Sequence, residues 1–464
     1  MDKTTLENRL APFAQQHLLQ FWDQLAPTEQ RQLSHQIDQI DFELMRSLVK
    51  DDSHQEDWGD LAARANSPTA FRLRGDNPFS QEAARAAGEA ALGNGRLGVI
   101  LVAGGQGTRL GFPHPKGMYQ LGPLSNRSLF QMHVEQILAL SAQYAQRIPL
   151  YLMTSPATHD ETVAFFEQHN NFGLPSEDFF VFCQGTMPAV DATTGKLLLA
   201  SKSEVFVNPD GHGGMLAAFE KSGCLADAQR RGIQQLFYLQ VDNPIVSICD
   251  AVTTGYHLLS KSEITTQVIC KTDPEEKVGN VVTVDGKTMI IEYSDLPSAA
   301  AQKRSADGDL LLWAGSIAVH VMETDFLVRC AAEASSLPFH RANKKVPFVD
   351  ESGQLVEPDS PNAIKFERFI FDLLPSAQNA IVVEVDEADA FAPLKNASGA
   401  AKDTPETARA AILAKHTEMM KQAGAAVANG VQVEISPLFA NRADLLRQKV
   451  TAPINQNQYF GPQD

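Results

Sequence analysis

The strongest constraint on this chain is the run Leu-Val-Ala-Gly-Gly-Gln-Gly-Thr-Arg-Leu-Gly at residues 101–111, where an apolar segment ends in three glycines within four positions. An apolar run that stops on glycine reads as a buried strand opening into a loop. At the carboxyl end of a parallel strand, such a loop is where doubly wound sheets take their ligands. Glycine lets main-chain N–H groups close on phosphate oxygens with no Cβ in the way. Arg109 and Lys116 add fixed positive charge nearby, which a tight turn alone does not require. Two familiar phosphate motifs fit poorly. The dinucleotide fingerprint needs glycine where Leu110 stands, and an acidic residue about 20 positions later. A P-loop needs Gly-Lys followed at once by Ser or Thr, whereas Lys116 is followed by Gly117.

The surroundings of the loop agree with an α/β fold. Apolar runs at 99–103, 150–153, 179–182 and 236–241 are separated by helical patterns such as 129–142 and 215–231. Strands buried on both faces and separated by helices predict a mostly parallel sheet. Val284, then Asp285-Gly286, then 289–293 read as a hairpin, so the sheet becomes mixed beyond about Asp273. Upstream, Leu6, Leu10, Phe13, Leu18, Phe21 and Leu25 predict a helical lobe. Thr28 after Pro27 suits the cap of a second helix, with Leu33, Ile37 and Ile40 inward. Residues 51–79 read as an irregular connection, and Ser80 caps a helix that Gly93 to Gly95 stop. After residue 400 there is one helical pattern, 406–423, and a small β-rich piece at 431–435. The expected division is therefore 1–95, 96–395 and 396–464, with no internal repeat.

Composition removes some partners. The formal net charge is −17 and no long basic run occurs, which argues against a nucleic-acid or anionic-membrane surface. Five cysteines, widely spaced and odd in number, suggest neither a disulfide framework nor a zinc site; buried, reduced thiols are expected. No stretch approaches the roughly 20 apolar residues of a spanning helix. The N-terminal residues lack the apolar core of a signal peptide, so the cytosol is the expected compartment.

Two more places can carry chemistry. Asn-Pro-Asp-Gly-His-Gly-Gly at 208–214 precedes a helical pattern and offers main-chain donors and one imidazole. Asp242 closes the strand pattern at 236–241, either as a cap or as a Mg²⁺ ligand beside phosphates. Taken together with Gly-Gly-Gln-Gly-Thr-Arg-Leu-Gly and Pro115-Lys116-Gly117, these residues resemble the eukaryotic-type UDP-sugar pyrophosphorylases. The chain looks most similar to the UDP-N-acetylhexosamine branch. Gln184-Gly185, Glu292-Tyr293-Ser294-Asp295, Lys365 with Phe369 and Phe371, and Pro393-Leu394-Lys395-Asn396 follow in the family's order, over roughly residues 100 to 400.

The resemblance implies a helical N-terminal lobe, a Rossmann-like nucleotidyltransferase domain and a small C-terminal β domain. It implies UTP and a sugar 1-phosphate as substrates, with Mg²⁺ positioned by Asp242. Val102, Ala103, Gly104, Gly105, Gly107 and Thr108 would hold the nucleotide, with Gln184 and Gly211 reading uracil. Arg109 and Lys116 would grip the departing pyrophosphate, and Lys365 and Lys395 would neutralise the reacting phosphates. His212, Gly279, Glu292, Tyr293, Ser316, Phe369 and Phe371 would form the sugar pocket. Trp313 on the apolar run 310–321 is read as packing, and Lys344-Lys345 as a surface pair. Two positions depart from the branch: His212 replaces an Asn, and Ser316 stands where a second Asn is usual. An N-acetylglucosamine 1-phosphate preference is expected, with wider tolerance of glucose or galactose 1-phosphate.

Overall fold

Ten strands form one sheet in the computed structural model, which describes residues 1–50, 58–333 and 337–463. They are β1 (Ala70–Phe71), β2 (Leu97–Val102), β3 (Leu150–Thr154), β4 (Phe179–Cys183), β5 (Gln235–Gln240), β6 (Ile264–Cys270), β7 (Gly279–Val284), β8 (Lys287–Ile291), β9 (Ala314–Glu323) and β10 (Ala380–Glu384). Their order is β1-β10-β6-β9-β5-β2-β3-β4, and β7 pairs with both β8 and β9. Along the main row β9 alone runs against its neighbours. The sheet is the mixed, mostly parallel one expected. Leu97, Val99, Ile100 and Leu101 of β2 and all of β3 are buried, as strands covered on both faces must be. Truncating Leu101 to Ala in that setting would cost about 3 kcal/mol. Asp285 and Gly286 both have positive φ (48° and 79°), the two-residue turn that joins β7 to β8.

Two compact units divide the chain, and neither is a continuous stretch. The sheet lies in the unit made of Trp58–Cys183, Leu216–Ser336 and Leu373–Asp464. Its segment after residue 400 holds the helix Pro405–Gln422, the helix Ala443–Lys449 and a parallel pair, Val433–Ile435 with Gln458–Phe460. The other unit is Met1–Asp57, Gln184–Met215 and Leu337–Asp372. There the N-terminal helices bury Leu6, Leu10, Leu33 and Ile37 against Val190, Leu197, Val205 and Phe366. His17 donates from Nε2 to the Leu197 carbonyl (2.8 Å), and Gln15 accepts from the Leu197 N–H (3.0 Å), which fixes the register.

Several local expectations need correction. The second helix, Pro27–Gln39, is capped at Ala26 rather than Thr28. Pro27 takes the first helical position, and the Glu29 carboxylate accepts from the Ala26 N–H at 2.7 Å. Within the expected irregular connection, Trp58–Arg64 is helical and Ala70–Phe71 is an edge strand; residues 51–57 lie outside the described residues. The pattern at 215–231 is two helices, Met215–Lys221 and Cys224–Arg230, because Gly223 turns left-handed (φ 81°) between them. Cys270 is exposed and Cys183 half-buried; only Cys224, Cys249 and Cys330 are buried, and none of the five is in a disulfide. The Ser80 cap, by contrast, stands as expected, accepting from the Ala83 N–H. No helix among the described residues is long and apolar enough to cross a membrane.

Candidate functional site

In the sheet-bearing unit, the loop after β2 turns back on itself through Lys116. The Lys116 N–H donates to the Gly105 carbonyl (3.0 Å), and the Gly107 N–H to the His114 carbonyl (2.8 Å). Among the described residues, the N–H groups of Gly105 and Gln106 have no main-chain acceptor. Gly105 has ordinary φ, and a Cβ placed on it would meet nothing within 4 Å. Neither the turn nor internal packing therefore demands glycine there. Gly117 differs: its Cβ would strike the Phe130 ring. Val102 ends the strand, its carbonyl accepting from the Val241 N–H (3.0 Å), and Ala103 is buried with its N–H on Met153. Gly104 accepts from the Ser155 hydroxyl (2.8 Å).

Lys116 leads to the next strand end. Its ammonium lies 3.4 Å from the Asp242 carboxylate, both side chains largely sheltered (19% and 13% exposed). The Asp242 carbonyl accepts from the Leu394 N–H (2.8 Å), and Asn243 is bonded on both sides to the same segment, at Ala390 and Ala392. Gly105, Lys116, Asp242 and Leu394, the chain neighbour of Lys395, are thus joined by a short series of bonds that draws on three loops. Lys395 is half-buried, its ammonium 5.6 Å from the Phe391 ring centroid. Arg109 and Thr108 sit in the exposed turn Thr108–Leu110, and the Arg109 guanidinium has no ion-pair partner among the described residues. Behind the strand end His133, fully buried, donates from Nε2 to the Val241 carbonyl (3.0 Å); burial holds its pKa down to about 4.

A second cluster in this unit lies on β7 and β9. Gly279 and Ser316 are register partners, and a Cβ on Gly279 would lie 3.1 Å from a Glu292 carboxylate oxygen. Ser316 accepts from the Ala318 N–H (3.2 Å), and Tyr293 next to Glu292 is 48% exposed. Trp313 is buried beneath the Arg72 guanidinium, 3.6 Å from its ring centroid, which makes it packing as read. Lys271 went unnoticed in the sequence. It is 3% exposed and its ammonium donates to Asn280, beside Gly279; burial lowers its pKa.

The remaining candidates belong to the other unit. His212, Phe369 and Phe371 meet there: His212 lies 5.3 Å from Phe369 and 5.6 Å from Phe371, and the two phenyl rings stack at 5.1 Å. His212 accepts at Nδ1 from the Ile370 N–H (3.3 Å), and burial depresses its pKa to about 4. Phe369 and Phe371 are not strand residues, since the strand Ala363–Glu367 ends before them. What joins glycine cluster to strand end is a pair that sequence reading missed, Asp210 and Arg368. The guanidinium donates to the carboxylate at 2.6 Å, the Arg368 N–H to the Asp210 carbonyl at 2.8 Å, and the Gly213 N–H to the Arg368 carbonyl at 2.7 Å. Gly211 (φ 84°) lies against that Arg368 backbone, where a Cβ would clash. Gln184 is buried beside this turn's partner Gly185, whose carbonyl accepts from the Asp210 N–H (3.1 Å). Lys365 is half-buried with its ammonium 5.2 Å from the Phe206 centroid, and desolvation lowers its pKa. Lys344 and Lys345 are exposed, as a surface pair should be.

Comparison with known proteins places the chain in a family. The family described as UTP--glucose-1-phosphate uridylyltransferase matches residues 42–441. UDP-N-acetylglucosamine pyrophosphorylase of Saccharomyces cerevisiae is 35% identical over 450 residues, 94% of each chain. The human UDP-N-acetylhexosamine pyrophosphorylase-like protein 1 is 37% identical over 438 residues, 90% of this chain and 85% of that one. Among solved structures, the Trypanosoma brucei uridine diphosphate N-acetylglucosamine pyrophosphorylase is 26% identical, with TM-score 0.82 over 97% of this chain and 95% of that one. The putative UDP-N-acetylglucosamine pyrophosphorylase of Entamoeba histolytica gives 32% and 0.78, over 85% of this chain and 100% of the other. On matches of that extent and identity, the chain belongs to the UTP–glucose-1-phosphate uridylyltransferase family.

Proposed function

We propose that this protein is a uridylyltransferase that joins UTP to a sugar 1-phosphate and releases pyrophosphate, with N-acetylglucosamine 1-phosphate preferred. The observation that carries the reading is the hydrogen-bonded series Gly105, Lys116, Asp242 and Leu394, which brings in the segment of Lys395, beside two N–H groups that have no main-chain acceptor among the described residues. In the reaction a phosphate oxygen of the sugar 1-phosphate attacks the α-phosphorus of UTP in line. The bond from that phosphorus to the bridging oxygen breaks, and pyrophosphate departs with the electron pair. The attacking oxygen is already ionised, so no general base is required. Bringing two anions together is the main cost, and it is offset by cations placed before the reaction begins.

On this reading the N–H groups of Gly105 and Gln106 meet phosphate oxygens. Lys116 and Arg109 stabilise the charge that grows on pyrophosphate, while Lys365 and Lys395 neutralise the reacting phosphates. Gln184 and Gly211 address uracil; Glu292, Gly279, Tyr293, Ser316, His212, Phe369 and Phe371 address the sugar. Among the described residues there is no group of three or more His, Cys, Asp and Glu able to hold a metal. A single sheltered carboxylate suits Mg²⁺ bound chiefly through substrate phosphates and water, and Asp242 is the residue that would hold it. When bound, the ion supplies further neutralisation of phosphate charge. A cytosolic compartment belongs to the same proposal and is supported by five cysteines that form no disulfide.

The test is pyrophosphate release from UTP against a panel of sugar 1-phosphates, with CTP, ATP and dTTP as controls and a chelator arm. Turnover is expected with UTP only, highest on N-acetylglucosamine 1-phosphate, and lost in excess chelator. His212 and Ser316 favour some activity on glucose or galactose 1-phosphate as well. Ser316→Asn should narrow that range, because Asn restores a donor and an acceptor where one short hydroxyl stands, worth about 1 kcal/mol or several-fold in selectivity. Activity confined to glucose 1-phosphate would leave only the uridylyltransferase class standing.

A further inference from the structure

The helix Pro405–Gln422 touches each of the three segments that carry Lys116, Asp242 and Lys395. Arg409 donates to the carbonyls of Gln120 (3.0 Å) and Leu121 (3.3 Å), just beyond the Lys116–Met118 turn. The Asp403 carbonyl, immediately before the Thr404 cap, accepts from the N–H groups of Lys395 and Asn396, each at 2.8 Å. Lys415 reaches furthest. Its ammonium donates to the Ile245 carbonyl (2.6 Å), the Asp389 carbonyl (2.7 Å) and the Ser247 hydroxyl (3.4 Å). Ile245 follows Asp242 by three residues, and Asp389 precedes Lys395 by six.

An ammonium has three protons, and all three are used here on neutral acceptors. None goes to a carboxylate, so the contact is not an ion pair. A cation taken from water is costly, and for mere packing a Met would fill the same space. What the ammonium does that Met cannot is tie two main-chain segments to one point on a rigid rod. From Pro405 to Lys415 the helix advances about 15 Å, so its grips at Asp403 and Lys415 are held at a fixed spacing. The two gripped segments are already joined by Asn243 to Ala390 and Ala392, and by Asp242 to Leu394. Lys415 closes the far end of that seam.

We propose that Lys415 is a positioning residue for the transfer reaction, holding the Asp242 and Lys395 segments at a fixed separation through the Ile245 and Asp389 carbonyls. This rests on the uridylyltransferase reading and gives the C-terminal helix a part in it. Displacement of a reacting group by about 1 Å costs on the order of a hundredfold in rate, so the effect falls on turnover more than on binding.

The experiment compares Lys415→Met, Lys415→Arg and Arg409→Met by steady-state pyrophosphate release and by amide hydrogen exchange. Lys415→Met is expected to lower kcat by about tenfold to a hundredfold, with KM for UTP changed by less than about threefold. Exchange should rise at amides 243–247 and 390–395. Lys415→Arg, still charged and able to donate to the same carbonyls, should recover most of the loss. Arg409→Met should show a smaller drop of the same kind, and it stands in if Lys415→Met does not fold. Wild-type kcat in the Met variant, or an Arg variant as damaged as the Met one, overturns the proposal. A wild type that releases no pyrophosphate defeats the functional reading instead. Exchange then still decides the clamp, and unchanged protection at 243–247 and 390–395 overturns it.

Discussion

On the proposed reading Lys116 and Asp242 meet the substrate phosphates, and their 3.4 Å separation in a sheltered setting sets what each substitution does. The pair is partly solvated, so removing the ammonium costs about 1 kcal/mol of stability. If the ammonium also meets the departing pyrophosphate, its loss removes an interaction that strengthens as charge develops, worth about 3 kcal/mol in the barrier. Lys116→Ala should therefore lower kcat roughly a hundredfold while the urea midpoint barely moves. Near-normal turnover would show that the glycine loop does not face the leaving group. His133 makes a different prediction. It is fully buried and neutral, with its folded pKa about 4 against the ordinary 6.5 of an imidazole. The unfolded chain takes up that proton first, so the contribution is complete above pH 6.5 and is lost as pH falls towards 4. The full span is at most about 3 kcal/mol. Urea midpoints between pH 7 and pH 4.5 should fall, and fall less in His133→Gln; identical profiles would exclude His133 as a source.

Among the elements, the strand Ala363–Glu367 and the turn before helix Met215–Lys221 are joined by Arg368 and Asp210, 158 residues apart. Both side chains are sheltered, at 19% and 5% exposure. Removing one partner strands the other charge, so Arg368→Met should destabilise the fold by about 3 kcal/mol. Adding Asp210→Asn should then cost less than it does alone; strict additivity in the denaturation series would mean that the two are uncoupled. This pair also marks where sequence reading stops. The glycine loop, β2, β3, β4, β5 and the β7–β8 hairpin were legible because their signals are local: an apolar run bounded by glycine, or Asp-Gly between two strands. The family resemblance supplied the order of the motifs. Nothing local announces that Arg368 will find Asp210, or that Lys415 will find Ile245, 170 residues away. The helix at 215–231 was read as continuous because period alone does not see the left-handed turn that Gly223 permits. At the second helix a proline outranked the threonine as the start signal, for the reason that Pro lacks the N–H a first-turn residue cannot use.

For the whole molecule, the division into two units gives each its own core but not its own stretch of chain. The N-terminal helices bury Leu6, Leu10, Leu33 and Ile37 against strands that lie at 190–205 and near 366. During synthesis those helices are made before their partners, the last of which arrive more than 300 residues later. At about 5–20 residues per second, the apolar face waits roughly 15 to 65 seconds. A ribosome-bound chain in that interval carries an amphipathic helix set that the strands at 190–205 can cover only in part, the kind of surface that chaperones retain. Fragments ending near residue 330 should then show rapid proteolysis at Arg9, Arg31 and Arg46, sites protected in the full chain. Equal resistance in the two would mean that the helices need no partner from 337–372. Completion of this unit is thus a late event in the life of each nascent chain, and its dependence on translation time makes yield sensitive to elongation rate as well as to equilibrium stability.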